Sequence, residues 1–211
     1  MTITSLGART EVNDAVHEWG GIVMHDVIND RFAHKAIEKG ADGFIAVAAG
    51  AGGHAGTTSP FALVQEIRSW FEGPLALSGA IATGRAVLAA QAMGAYIGSA
   101  FIATDEARAD QRYKQMVVDS SSADIVYSDA FSGVYANFLR ASIAAAGLDP
   151  DNLHQPEAGR VDFGSSAVKT WKDIWSCGQG ASVIDAIRPT AELVAQIAQG
   201  YEAARAQIAR P

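Results

Sequence analysis

At 211 residues, with 49% hydrophobic and 18% charged side chains, the sequence has the length of one domain and ample material for a core, and no long segment has a disordered composition. The formal net charge of −7 argues against nucleic acid or an anionic membrane as a partner. A single cysteine, Cys177, rules out a disulfide within these residues; with no signal-peptide pattern and no apolar run of roughly 18 residues, the expectation is a cytoplasmic protein.

Ile3 to Leu6 forms a short apolar strand closed by Gly7, and Val12, Val16 and Trp19 recur at helical spacing before Gly20-Gly21. Ile22-Val23-Met24 makes the next strand, ending at His25-Asp26. Asn29 or Asp30 then caps a helix carrying Ala33, Ala36 and Ile37 up to Gly40. Phe44 to Ala48 is a continuous apolar run, the pattern of a strand buried on both faces of a parallel sheet, and it leads into Gly50-Ala51-Gly52-Gly53-His54-Ala55-Gly56. Ser59-Pro60 opens a helix with Phe61, Val64, Ile67 and Phe71 on one face. Leu75 to Ser78 is a fourth strand, followed by Gly79-Ala80-Ile81-Ala82-Thr83-Gly84 and an alanine-rich helix from Arg85 to Met93. Ala95 to Gly98 is a very short fifth strand, and Ser99 to Ile102 leads into a charged helix near Glu106 to Val118. Further on, the pattern predicts a strand at Ile125-Val126-Tyr127, a helix from Tyr135 to Ala146 and an irregular loop over Gly147 to Ser166. Trp171 and Trp175 then fall four apart on a short helix, and Leu193, Ile197, Tyr201, Ala204 and Ile208 stripe a closing helix.

Repeated strand–helix units point to an α/β protein with parallel strands, either a doubly wound sheet or a barrel. A closed (β/α) barrel needs eight strands and about 250 residues, and this sequence supplies roughly five.

His54 stands among glycines at the carboxyl end of a buried strand, where parallel α/β proteins carry their chemistry; a solvated histidine in a glycine turn is the alternative. Gly79-Ala80-Ile81 and Gly98-Ser99 follow adjacent strands and can offer bare backbone N–H groups to a phosphate, or simply let helix and strand pack closely. Asp26 either faces the same mouth or caps the next helix, with capping favoured. His17 and His34 fall on polar helical faces and read as exposed, and His154 in the irregular loop receives no role. Cys177 has no basic neighbour and reads as an inert thiol. No grouping has metal-ligand spacing, and no dinucleotide fingerprint, Walker loop or nucleophile elbow is present.

Taken in order, Ala49-Gly50-Ala51-Gly52-Gly53-His54-Ala55-Gly56, Ser78-Gly79-Ala80-Ile81-Ala82 and Ile97-Gly98-Ser99-Ala100-Phe101 give the chain a resemblance to the nitronate monooxygenases. It extends through Phe131-Ser132-Gly133, Ala146 to Pro150 and Trp175 to Gly180. The flavin enoyl-ACP reductases share the glycine-histidine motif and the two turns. The resemblance implies a (β/α)8 TIM-barrel type of fold, with FMN as cofactor and His54 as the catalytic histidine. It further implies that Gly79, Ala80, Gly98 and Ser99 hold the FMN phosphate, while Gly52 and Gly53 lie close to the cofactor. Val47 stands where the family often carries a glutamine beside the flavin ring. Family chains begin with further strands, so residues 1–104 read as the second part of the barrel, and 105–211 as a mostly helical region packing on it. The 93–98 connection is shorter than the family's, which predicts a shifted phosphate turn or a shortened strand.

The activity implied is FMN-dependent oxidation of an alkyl nitronate, with dioxygen reoxidising the flavin and a carbonyl compound and nitrite as products. His54 either takes a proton from a neutral nitroalkane or, protonated, stabilises the nitronate anion. Two alternatives stand beside it: an NAD(P)H-dependent flavin enoyl-ACP reductase, and an inactive barrel fragment that forms a homo-oligomer through its exposed strand edges.

Overall fold

A computed structural model describes residues 1–91, 94–153 and 171–209. His154, most of the anticipated 147–166 loop and the end of the alanine-rich helix at Met93 lie outside the described residues. In chain order the elements are β1 (Thr2–Thr4), α1 (Thr10–His17), β2 (Val23–Val27), α2 (Asp30–Glu38), β3 (Gly43–Val47), β4 (Gly53–His54), α3 (Pro60–Arg68) and β5 (Leu75–Ser78). They continue with α4 (Gly84–Ala89), β6 (Ala95–Tyr96), α5 (Ser99–Ile102), α6 (Gln111–Val118), β7 (Ile125–Ser128), β8 (Ala136–Leu139), α7 (Arg140–Ala145) and α8 (Thr190–Ile208). The chain divides into two compact units, one of Met1–Ala49, Gly56–Ser78 and Ala90–Tyr96, the other of Gly50–Ala55, Gly79–Ala89 and Ile97–Pro211.

The first unit is a parallel sheet of five strands in the order β1-β2-β3-β5-β6. The expected α/β class with parallel strands is borne out here. Every residue of β3 is buried, as its unbroken apolar pattern requires of a strand with a neighbour on each side. Gly43 opens β3 beside the Pro74 carbonyl, where an added Cβ would come within 2.4 Å of that oxygen. β6 is only two residues long, within the very short strand expected at 95–98.

Two local expectations change in this unit. α1 stops at His17, leaving Trp19 beyond the helix and 78% exposed, and it buries Asn13 and Val16 rather than Val12. Asn13 is inward because its side-chain amide donates to the Lys39 carbonyl at 2.8 Å, a tether that hydrophobic spacing cannot reveal. Asp26 does not cap α2; Asn29 accepts the Phe32 N–H at 3.0 Å instead, and Asp26 lies within β2. Burial pushes the Asp26 carboxyl up, partly opposed by its hydrogen bond with Ser5. His17 and His34 are exposed as expected, and each also has a partner: His17 bonds Asp42 at 2.8 Å, and the His34 ring stacks on Trp70 with centroids 3.9 Å apart.

Asp42 ties α1 to β2, accepting the Val23 N–H at 2.7 Å as well as the His17 bond. Burial pushes its carboxyl up, but the Val23 and His17 hydrogen bonds and the imidazolium charge outweigh this, and the pKa falls below its ordinary value. A carboxyl depressed in the folded state contributes stability above its unfolded pKa and loses it as pH falls through the folded one. Thermal melts should therefore lose stability below about pH 4, and Asp42→Asn should remove part of that acid slope while leaving the slope above about pH 5 unchanged. An identical acid slope in the variant would reject the assignment.

The second unit contains the antiparallel sheet β4-β8-β7. β8 pairs Gly53 with Asn137 and His54 with Ala136 on one side, and Ile125 through Ser128 on the other. The sequence pattern gives Tyr135 to Ala146 as one helix. The structure splits it into a fully buried central strand, β8, and the short α7, because 136–139 is captured between β4 and β7. The expected short helix at Trp171 and Trp175 is also absent. Trp171 sits in a turn at φ 71°, and the Trp175 N–H donates to Ser142 Oγ at 2.6 Å while Ser176 bridges to Phe138. Stacking on Tyr113, with centroids 5.0 Å apart, gives Trp175 a partner across the chain rather than along a helix. Leu193 and Ala204 of α8 are buried as expected, whereas Ile208 is exposed. Among the described residues no helix is long and apolar enough to cross a membrane.

Candidate functional site

Every residue that the sequence marks for catalysis or cofactor binding falls within the second unit: Gly52, Gly53, His54, Gly79, Ala80, Gly98 and Ser99. His54 ends β4, whose pairing to β8 fixes its backbone. Next to it, the Ala55 N–H donates to the Tyr135 carbonyl at 3.3 Å and the Ala55 carbonyl accepts the Tyr127 hydroxyl at 2.9 Å. Tyr127 and Tyr135 stack with centroids 4.9 Å apart, forming an aromatic wall on this strand end.

The His54 ring is half-buried, with Trp171 packed edge-on at 5.2 Å and Nε2 3.4 Å from Ser132 Oγ. Burial lowers its pKa below the ordinary histidine value, so the neutral imidazole dominates at neutral pH.

The three glycine turns share one neighbour, the segment Gly178-Gln179-Gly180. Gly178 N–H donates to Ser99 Oγ at 2.9 Å, and Gln179 N–H donates to the Gly50 carbonyl at 2.9 Å. A Cβ on Gly52 would lie 2.8 Å from Gly178 N and 3.1 Å from Ser99 Oγ, and one on Gly180 would lie 3.2 Å from the Ala80 carbonyl carbon. The segment thus links the Gly50–Gly53 turn, the Gly79-Ala80 bend and the start of α5. Ala80 holds φ 55° next to Gly79 at φ 149°, a left-handed bend that costs a non-glycine residue about 1–2 kcal/mol.

Ser99 Oγ accepts the Gly178 N–H, and its backbone N–H lies at the start of α5. Gly53 and Gly98 behave differently from Gly52: a Cβ on either would meet nothing within 4 Å. Bare backbone beside open space suits a flat or anionic ligand, and a phosphate can be held by such amides without a cationic side chain.

Gly52→Ala should therefore act through packing. Its methyl group would push Gly178 away from Ser99, and the melting temperature should fall by roughly 2–6 °C. Gly98→Ala has room and should leave the melting temperature unchanged.

Cys177 is buried and its thiol is pushed up by burial, partly opposed by hydrogen bonds with Ser99 and Gly178; it has the character of an inert core thiol. Among the described residues no group of three or more His, Cys, Asp or Glu could hold a metal ion. Sequence reasoning missed Ser132 as a partner of His54, and it missed the linking part played by residues 178–180. The only signal for either lay in the short motifs Phe131-Ser132-Gly133 and Gly178-Gln179-Gly180, which carry no chemistry of their own.

The parallel sheet of the first unit makes this an α/β protein, and its second unit gathers a half-buried histidine with exposed glycine turns. The nitronate monooxygenase family model matches residues 1–200, and the chain belongs to that family. It is 28% identical over 185 residues to the nitronate monooxygenase of Paraburkholderia phytofirmans, a match covering 75% of this chain and 48% of that protein. With a probable nitronate monooxygenase of Staphylococcus haemolyticus it shares 34% identity over 108 residues, 44% of this chain and 30% of the relative. The chain thus spans about half the length of the first of these relatives and less of the second.

Among solved structures, FabK from Thermotoga maritima matches 98% of this chain and 69% of its own, with a TM-score of 0.76 and 24% identity. The nitroalkane oxidase from Streptomyces ansochromogenes matches 99% of this chain and 66% of its own, with a TM-score of 0.75 and 23% identity. At these identities the likeness is one of fold, and that fold is the (β/α)-barrel type anticipated from the sequence.

Proposed function

We propose that this chain binds FMN and oxidises alkyl nitronates or their parent nitroalkanes. The observation that carries the reading is the gathering of Gly52, Ala80 and Ser99 on the 178–180 segment, in the unit that also contains His54. In this reading the backbone N–H groups of Gly79, Ala80, Gly98 and Ser99 hold the FMN phosphate, and Gly52 and Gly53 let main chain lie close to the cofactor. The open space at Gly53 and Gly98 fits such a ligand. Bound flavin would supply the redox chemistry, taking electrons from the nitronate and passing them to dioxygen, with a carbonyl compound and nitrite released.

His54 is the proton acceptor in this reading. A neutral nitroalkane must lose its α-proton before it becomes electron-rich enough to be oxidised, and a neutral imidazole kept so by burial can take it. Trp171 and the Tyr127–Tyr135 pair limit water around that imidazole and favour small apolar substituents on the substrate.

The test is a stopped-flow experiment on the chain reconstituted with FMN. An alkyl nitronate mixed without oxygen should bleach the flavin within the turnover time, and NAD(P)H should not. Rapid bleaching by NAD(P)H alone would favour an enoyl-thioester reductase instead. A chain that remains colourless after reconstitution would overturn the cofactor assignment.

A further inference from the structure

We propose that Ser132 is a positioning residue, one that holds His54 as the tautomer with hydrogen on Nε2 and leaves the Nδ1 lone pair free. Ser132 is fully buried in the turn between β7 and β8, far from His54 in sequence but facing it across the sheet. A serine hydroxyl has one proton to donate. Ser132 gives it to the Val134 carbonyl at 3.0 Å, so only its lone pairs remain for His54 Nε2 at 3.4 Å. A nitrogen facing an acceptor is attracted only if it carries hydrogen.

Both partners are fixed from outside the pair. The turn is closed by Gly133 N–H on the Asp129 carbonyl at 2.8 Å and by Ala130 N–H on Ser128 Oγ at 3.1 Å, with Gly133 at φ 70°. Phe131 packs edge-on against Phe138 of β8, with centroids 4.9 Å apart, which anchors the residue before Ser132. His54 is anchored by its register opposite Ala136 and by Trp171 against its ring. Among the described residues no carboxylate is recorded against the ring: β8 has no ionisable side chain, and burial is the cause behind the histidine's lowered pKa. Among the described residues Nδ1 has no hydrogen-bond partner.

The consequence for catalysis rests on the proposed nitroalkane chemistry. The substrate C–H bond breaks, its electron pair moves into the nitro group to give the nitronate, and the proton ends on Nδ1. The imidazolium so formed keeps its Nε2 hydrogen on Ser132, and the ring stays in place through the transfer. Ser132 touches no substrate atom and acts through His54.

The test uses the full chain with 15N-labelled histidine and long-range 1H–15N correlation spectra near pH 8, the His54 signals being assigned by their loss in His54→Asn. The wild type should show the Nε2–H pattern. Ser132→Ala should move His54 toward mixed tautomers, and Ser132→Thr, which keeps a hydroxyl, should restore the wild-type pattern. The signals of His17, His25 and His34 should not change, which reports an intact fold; should Ser132→Ala fail to fold, Ser132→Cys carries the same comparison. In the flavin-loaded protein, Ser132→Ala should lower kcat for a neutral nitroalkane about tenfold with little change in KM, and spare a preformed nitronate, which needs no deprotonation. A wild-type His54 protonated on Nδ1, or a tautomer pattern unchanged in Ser132→Ala, would overturn the proposal. If the tautomer responds as expected while His54→Asn leaves nitroalkane turnover intact, the positioning of His54 by Ser132 stands and the reading of His54 as a base falls.

Discussion

Replacing His54 by asparagine is expected to cut nitrite release from a neutral nitroalkane by roughly 10²–10⁴-fold, the range typical for loss of a placed proton-transfer group. Asparagine is the informative choice because it keeps a polar side chain at this half-buried position yet cannot accept a proton near neutral pH. The strand pairing of residue 54 with Ala136 is made by main chain, so the fold should survive. Flavin content and the visible spectrum check that the site is intact, and nitrite measured against time reads the chemistry. Turnover within a few-fold of the parent would reject the catalytic assignment. Because burial alone lowers the His54 pKa, activity on neutral nitroalkanes should rise as pH climbs through that lowered value and then stay level.

The second large effect concerns the packing of α4 on α8. A methyl group on Gly84 would lie 2.1 Å from Tyr201 N, 2.2 Å from the Ile197 carbonyl oxygen and 2.5 Å from the Gly200 carbonyl carbon. All three are backbone atoms of a helix 19 residues long, so no side-chain rotation relieves the clash and the two helices must separate. Overpacking ordinarily costs about 1–3 kcal/mol, and a clash with rigid backbone belongs at or above the upper end. Gly84→Ala is therefore expected to lower the melting temperature by roughly 6–12 °C. Gly200→Ala is the control, since its methyl would sit 3.5 Å from Gly84, an ordinary contact, and alanine favours a helix by up to about 1 kcal/mol. Its melting temperature should hold or rise. A melting temperature for Gly84→Ala within about 2 °C of the parent would mean that α4 and α8 do not approach as described.

The reach of local pattern is clearest at particular residues. Phe44 to Ala48 announces a buried parallel strand because a strand with neighbours on both sides has no polar face, and β3 is such a strand. Asn29 and Pro60 mark helix starts because their chemistry acts within a turn of themselves. Pattern misleads where a distant partner outweighs local preference. Ala136 to Leu139 has a helical look, but β4 and β7 flank it and the ladder bonds decide its form. Trp171 and Trp175 have helical spacing, yet their partners are Phe138, Tyr113 and Ser142.

From its residue order alone this chain commits to an α/β architecture, a parallel sheet and a lone imidazole among glycines, since each follows from neighbours a few positions apart. Tertiary structure alone decides that Ser132, 78 residues on from His54, closes on that imidazole, and that Gly178, 79 residues on from Ser99, binds its hydroxyl. The physical reason is that a hydrogen-bond acceptor or a missing Cβ acquires meaning only from what is brought against it, and folding, not sequence spacing, chooses that neighbour.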